Sequence, residues 1–111
     1  MENRRQQKIA KVLKQDLANL FQRESKTMFN GAFITVTSVQ ITADMSYAKV
    51  YLSIMGNNEE RVLKEIKEKS KEIRNMIAKQ VRHQMRKVPE FKFHIDDSLD
   101  YYQKIDDLLK K

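Results

Sequence analysis

Seven cations fall between Lys69 and Lys87 of this 111-residue chain: Lys69, Lys71, Arg74, Lys79, Arg82, Arg86 and Lys87. The only acid among them is Glu72, so the stretch carries +6 of the chain's formal charge of +7. Ammonium and guanidinium groups set close together with few acids between them neutralise phosphates, and each phosphate contact releases counterions. Ile73, Ile77, Val81 and Met85 recur at four-residue steps through the same stretch, with Met76 beside them. One amphipathic helix with that pattern packs on a core and leaves a cationic back for a phosphate backbone. Charged helices are more often just solvated, but the acids that usually alternate with the lysines are missing here.

Other residues capable of chemistry do not converge. His83 and His94 lie on different elements and lack metal-ligand spacing, and the chain has no cysteine. That excludes a thiolate metal site and a disulfide framework, and it fits a reducing cytoplasm. Asp96, Asp97 and Asp100 form an acidic cluster, for which helix capping by Asp97 or Ser98 is a better reading than a cation site or catalytic pair. Asp44 suits a turn held by side-chain hydrogen bonds. Tyr47 and Tyr51 either stack bases or pack against neighbouring strands, and the six methionines read as core or surface filler. No nucleophile–base pair, metal motif or phosphate loop is present, so neither an enzyme nor a cofactor is expected.

The elements that must position the cations follow from periodicity. A first helix spans 3 to 23, with Ile9, Val12, Leu13, Leu17, Leu20 and Phe21 as its apolar stripe. Its outer face adds Arg4, Arg5, Lys8, Lys11 and Lys14, a second basic surface. SKTMFNGA then breaks the helix. Residues 33 to 42 read as a strand in which Ile34 and Val36 are out of phase with Val39 and Ile41, which a bulge near Thr37 reconciles. Asp44 to Ser46 turn the chain into an antiparallel strand over 47 to 55, with Ala48, Val50, Leu52 and Ile54 on its covered face. Asn57 or Asn58 caps a helix over about 58 to 69, with Glu59 and Glu60 complementing its dipole. Lys69 and Ser70 interrupt the buried stripe, so a kink separates that helix from a second over 71 to 86. Val88-Pro89 ends it. A third strand covers 91 to 95, with Phe91, Phe93 and Ile95 inward.

The order α-β-β-α-α-β, with helices on one side of a three-stranded sheet, gives an α+β two-layer domain over 1–96. It matches the type II arrangement of KH domains, which bind single-stranded nucleic acid. Residues 97–111 form a C-terminal tail long enough for a short helix, marginal by itself. MENRRQQK is not followed by an apolar run, and no stretch of about 18 apolar residues exists. RNA, DNA and anionic lipid all suit the basic balance. A membrane-surface or protein-interaction module competes with nucleic-acid binding, although the core needs the apolar helix faces.

Two stretches resemble the ribosome-binding factor A family. VQITADMSYAKVYLS, Val39 to Ser53, is similar to the family's V-x-(V/I)-(S/T)-x-D-(L/M)-x-x-A-x-V-(Y/F). Ile73-Arg74, Arg86, Val88-Pro89-Glu90, Phe93, Asp96 and Ser98 carry the rest of the match. The resemblance implies a KH-like fold and a cytoplasmic, non-enzymatic bacterial factor, expected as a monomer. It implies binding to 16S rRNA in the immature 30S subunit, in preference to joined ribosomes, in support of late maturation, 5′-end processing and growth in the cold. The RNA-binding residues expected are Lys69, Ser70, Lys71, Arg74, Lys79, Arg82, Arg86 and Lys87, with Arg4, Arg5 and Lys8 from the first helix. The family's A-x-G at the helix junction is replaced by Lys69-Ser70-Lys71, and no glycine lies between residues 57 and 111. Close backbone approach to a phosphate needs glycine, so point charges would have to do that work here.

Overall fold

The computed structural model describes residues 4–55, 58–85 and 87–96. Their order is α1 (Arg4–Met28), β1 (Phe33–Ile41), β2 (Tyr47–Met55), α2 (Glu59–Glu68), α3 (Ser70–Val81) and β3 (Glu90–Ile95). The sheet runs β1-β2-β3, with β1 antiparallel and β3 parallel to the central β2. This is the α+β, helix-kink-helix architecture that the sequence pattern predicts.

Alternation places one face of each strand in the core. Ala48, Val50, Leu52 and Ile54 of β2 and Phe91 and Phe93 of β3 are all buried. In β1 the register shifts between Val36 and Ser38, which returns Val39 and Ile41 to the face already holding Ile34 and Val36. The extra residue, Thr37, turns its hydroxyl across β2, donating to Asp96 beyond the end of β3. Leu13, Leu17, Leu20 and Phe21 of α1 and Ile73, Ile77 and Val81 of α3 cover the sheet from one side. Phe21 meets Phe29 at 5.6 Å and the edge of Phe93 at 6.2 Å between ring centres.

Helix ends differ from the periodicity reading in two places. First, α1 continues to Met28 instead of stopping at residue 23. The extra turn is what carries Phe29 into the core. The chain then reverses through Asn30 and Gly31, both at positive φ, and the Gly31 N–H returns to the Ser25 carbonyl at 2.9 Å. Second, α3 ends at Val81, not at residue 86. Gln84 and Met85 both donate to the Val81 carbonyl, closing the helix so that the chain can re-enter the sheet at Glu90, whose N–H meets the Ser46 carbonyl at 2.9 Å. Arg82 and Lys87 therefore sit on a connection, not on a helix face.

Asn58 is the N-cap of α2, accepting from the Arg61 N–H at 3.0 Å. Between α2 and α3 only Lys69 departs from helical geometry, at φ −96°, ψ 10°, and its N–H is shared by the Glu65 and Ile66 carbonyls. The tail over 97–111, Asp97 and Ser98 included, lies outside the described residues.

Arg74 corrects the view of α3 as a uniformly solvated cationic back. Its Nε and Nη2 donate to the Val88 carbonyl at 3.1 and 2.8 Å, half-buried. The guanidinium fixes the segment before β3. Arg74→Gln should cost about 1–3 kcal/mol, because it strands a buried acceptor that had a charged donor. Lys71→Gln, on an exposed side chain, should stay within about 0.5 kcal/mol. Urea unfolding of both variants checks the contrast.

The β1–β2 turn rests on Asp44. Its Oδ1 accepts from Ser46 Oγ at 2.7 Å, Thr42 Oγ1 at 2.8 Å and the Ser46 N–H at 3.1 Å. Hydrogen bonds from the Ser46 hydroxyl first, then from its N–H and from Thr42, lower the Asp44 pKa from 3.8 to about 2. A depressed carboxylate pKa adds stability above the unfolded value, and that increment is lost as pH falls from 3.8 through about 2. A carboxyl NMR titration should find a midpoint near 2, and Asp44→Asn should flatten the pH dependence of melting in that window.

Candidate nucleic-acid interface

The fold draws the basic start of α1 and the last described cations of the second basic run, Arg82 and Lys87, to one end of the molecule. The start of α1 is anchored there by Gln6, which is buried at 5% exposure. Its side-chain amide donates to the Thr42 carbonyl at 3.1 Å and the Ile41 carbonyl at 3.4 Å, at the end of β1. Residue 6 is in phase with Ala10, Leu13 and Leu17 on the buried stripe, so a polar group there must find a partner. That phase was the available signal, and the apolar pattern alone passes over it.

With Gln6 fixed, the first turns of α1 stand against the β1–β2 turn and the connection between α3 and β3. A cleft of about 1110 Å³ opens between the three. Arg5, Lys8, Arg82 and Lys87 line it, and Asp44 is the one carboxylate among its described lining residues. The cations are exposed. Between them lie Ile9, Val12, Met45, Met85 and Pro89. Ile9 and Val12, which the apolar stripe assigns to the sheet, pack against the core but are only half-buried and also line this cleft. His83 also lines the cleft and accepts from Arg82 Nε at 3.3 Å. Four positive side chains against one carboxylate, over an apolar surface, make a site for an anionic ligand with a flat or apolar portion.

The remaining expected residues divide. Lys71 and Lys79 are exposed on α3, and Arg4 is exposed at the start of α1. Lys69 is turned inward. Its Nζ donates to the Met28 carbonyl at 2.7 Å and stands 5.4 Å from the centre of the Phe29 ring. It therefore neutralises the C-terminal end of α1. Ser70 is half-buried and reaches the Phe91 carbonyl at 3.5 Å. The junction lies about 17 Å from the cleft along α3, at 1.5 Å per residue, so the two ends are separate surfaces. Arg86 lies outside the described residues.

On the open sheet face Tyr51 lies against His94, 5.5 Å between ring centres, and Lys92 Nζ stands 5.1 Å from the Tyr47 ring. These rings pack against neighbouring strands. Among the described residues no group of three or more acids and histidines gathers as a cation site, and no helix is long and apolar enough to cross a membrane.

Known proteins are similar in both sequence and fold. The family model for ribosome-binding factor A matches residues 5–109. A ribosome-binding factor A of Cytophaga hutchinsonii is 42% identical over 112 residues, covering 100% of this chain and 84% of its own length. That of Christiangramia forsetii is also 42% identical, over 98% of this chain and 85% of its own. The crystal structure of the Thermus thermophilus ribosome-binding factor A aligns at a TM-score of 0.68 and 23% identity, over 81% of this chain and 94% of that one, which shows the fold. A Thermus thermophilus homology model fitted into a cryo-EM map of a 30S complex aligns at 0.62 and 26% identity, over 78% and 89%. A family match over nearly the whole length, with close relatives of the same description, settles membership: the chain belongs to the ribosome-binding factor A family.

Proposed function

We propose that this protein is a non-enzymatic assembly factor that binds 16S rRNA in the immature 30S subunit. The carrying observation is the cationic cleft: Arg5, Lys8, Arg82 and Lys87 meet at one end of a chain whose family has a member fitted into a 30S complex. Phosphate neutralisation by those four, extended by Arg4, Lys71 and Lys79, supplies the affinity. Lys69, Ser70 and Arg74 act from behind, setting the kink and the segment before β3. The apolar faces of α1 and α3 are consumed by the core, with Leu13, Leu17, Ile73 and Ile77 at 0% exposure, which disfavours insertion into a membrane.

A protein that makes and breaks no bond promotes maturation by differential binding, favouring one rRNA conformation over others. In this reading it acts as a cytoplasmic monomer, occupies free small subunits and is displaced when they join large ones. It supports late maturation and processing of the 5′ end. Wrong RNA pairings last longer in the cold, so its absence is felt most at low temperature.

Glutamine at Arg5, Lys8, Arg82 and Lys87 together should weaken 30S binding and flatten its salt dependence, by roughly 0.7–0.9 in slope for each phosphate no longer neutralised. Co-sedimentation across a salt series measures both. Unchanged binding, with circular dichroism showing an intact fold, would remove the cleft from the interface. Deleting the gene in its native bacterium should slow growth and accumulate 5′-unprocessed 16S rRNA, more at low than at optimal temperature. Normal growth with fully processed rRNA at both temperatures would sink the assembly role.

A further inference from the structure

Phosphate contacts alone do not require what lies between the cations of the cleft. A stripe of lysines and arginines on a flat surface would follow a backbone equally well. Instead the four exposed cations share a recess with the half-buried Ile9, Met45 and Met85 and the buried Pro89. Its 1110 Å³ is slightly above the usual size of small-ligand sites, far more room than one phosphate needs.

Met45 adds a second observation. It sits at φ 63°, in the left-handed region that Gly or Asn adopts readily and a long side chain adopts at a cost. The three hydrogen bonds to Asp44 Oδ1 hold the turn in that conformation. The result is a polarizable thioether on the wall of the cleft, a group that accommodates flat surfaces of varied shape. Asp44 lies next to it and repels phosphate, so the sugar-phosphate portion of a ligand is driven toward Arg5, Lys8, Arg82 and Lys87.

We infer that the cleft seats an unstacked nucleotide of single-stranded rRNA, its base against Met45 and Met85 and its flanking phosphates on Arg5, Lys8, Arg82 and Lys87. This rests on the rRNA-binding reading and adds a base-dependent contact to it. Unpaired bases are the part of RNA that a protein can splay out and hold by the ring face. The contact discriminates single strands from helices without reading sequence. It lies at the end of α3 opposite the kink.

The test compares a short single-stranded oligoribonucleotide with an abasic ribose-phosphate oligomer of the same length and charge, on the full chain. Fluorescence anisotropy should show the base-bearing strand binding about tenfold more tightly, with the same salt slope for both. Met45→Asn relieves the left-handed backbone and gives up the packing of a partly buried side chain, two opposing effects on the unfolding midpoint, while in the folded variant the preference for the base-bearing strand should largely disappear. Equal binding of the two oligomers by the unaltered chain would overturn the inference, whatever the variant does. A preference that survives in a folded Met45→Asn protein would overturn it too, by locating the base elsewhere. Failure of both oligomers and of 30S subunits to bind would instead refute the rRNA reading on which it rests.

Discussion

The parallel pairing of β3 with β2 is the constraint from which the rest of the arrangement follows. The chain leaves β2 at Met55 and must re-enter the sheet beside Tyr47, at the opposite end of the same strand. A parallel neighbour cannot be reached by a tight turn, so α2 and α3 have to carry the chain back across the covered face. Glu90 then begins its strand against Ser46, in the β1–β2 turn itself. That puts the segment after α3 and the hairpin turn at one end of the molecule. Gln6 brings the start of α1 to the same place by bonding the end of β1. Three segments distant in sequence thus meet in space. The cationic cleft is a product of sheet topology, not of any local motif.

This explains which features were legible in the sequence. Patterns of period two or near four report on which face a residue takes. They located the bulge from the phase change between Val36 and Val39, and the kink from Lys69 and Ser70 in the buried stripe. Asp44 was legible as a turn residue because its partners are two residues away. Long-range destinations leave no such trace. Lys69 finds a carbonyl 41 residues away and Arg74 one 14 residues away, and neither acceptor is marked by side-chain type. Their charge counted toward the basic run, while their geometry also commits each of them to a backbone carbonyl. The helix limits escaped periodicity for a related reason. Phe29 in the core extends α1 and the return to Glu90 shortens α3, and both are decided by tertiary packing.

The cations divide by what they can do, and the division follows from burial. A guanidinium or ammonium that is half-buried is stable only with an acceptor in place, and the Val88 and Met28 carbonyls serve that purpose for Arg74 and Lys69. Once so engaged they set geometry: Arg74 holds the approach to β3, and Lys69 ties the kink to the end of α1. Arg5, Lys8 and Lys87 stay exposed on the rim of the cleft, where their charge faces whatever enters it. Arg74 thereby governs where Lys87 stands, as Gln6 does for Arg5 and Lys8.

A fixed cleft suits the proposed role, a factor that acts by occupancy. The work such a protein does on RNA equals the difference in its affinity for competing RNA conformations, and a surface that adapts to all of them does none. Phosphates are present in every conformation, paired or not, so contacts to them raise affinity without much preference among states. Preference has to come from something that only one state offers. An unpaired base is such a feature, and an apolar recess bounded by cations responds to it. The turn that fixes Met45 in a strained conformation, and the bonds by which Gln6 anchors α1 beside it, set that recess in place for the proposed RNA ligand. Pre-organisation of this kind lowers the cost of ordering at the moment of binding, so a larger share of the contact energy is expressed as selection between RNA states.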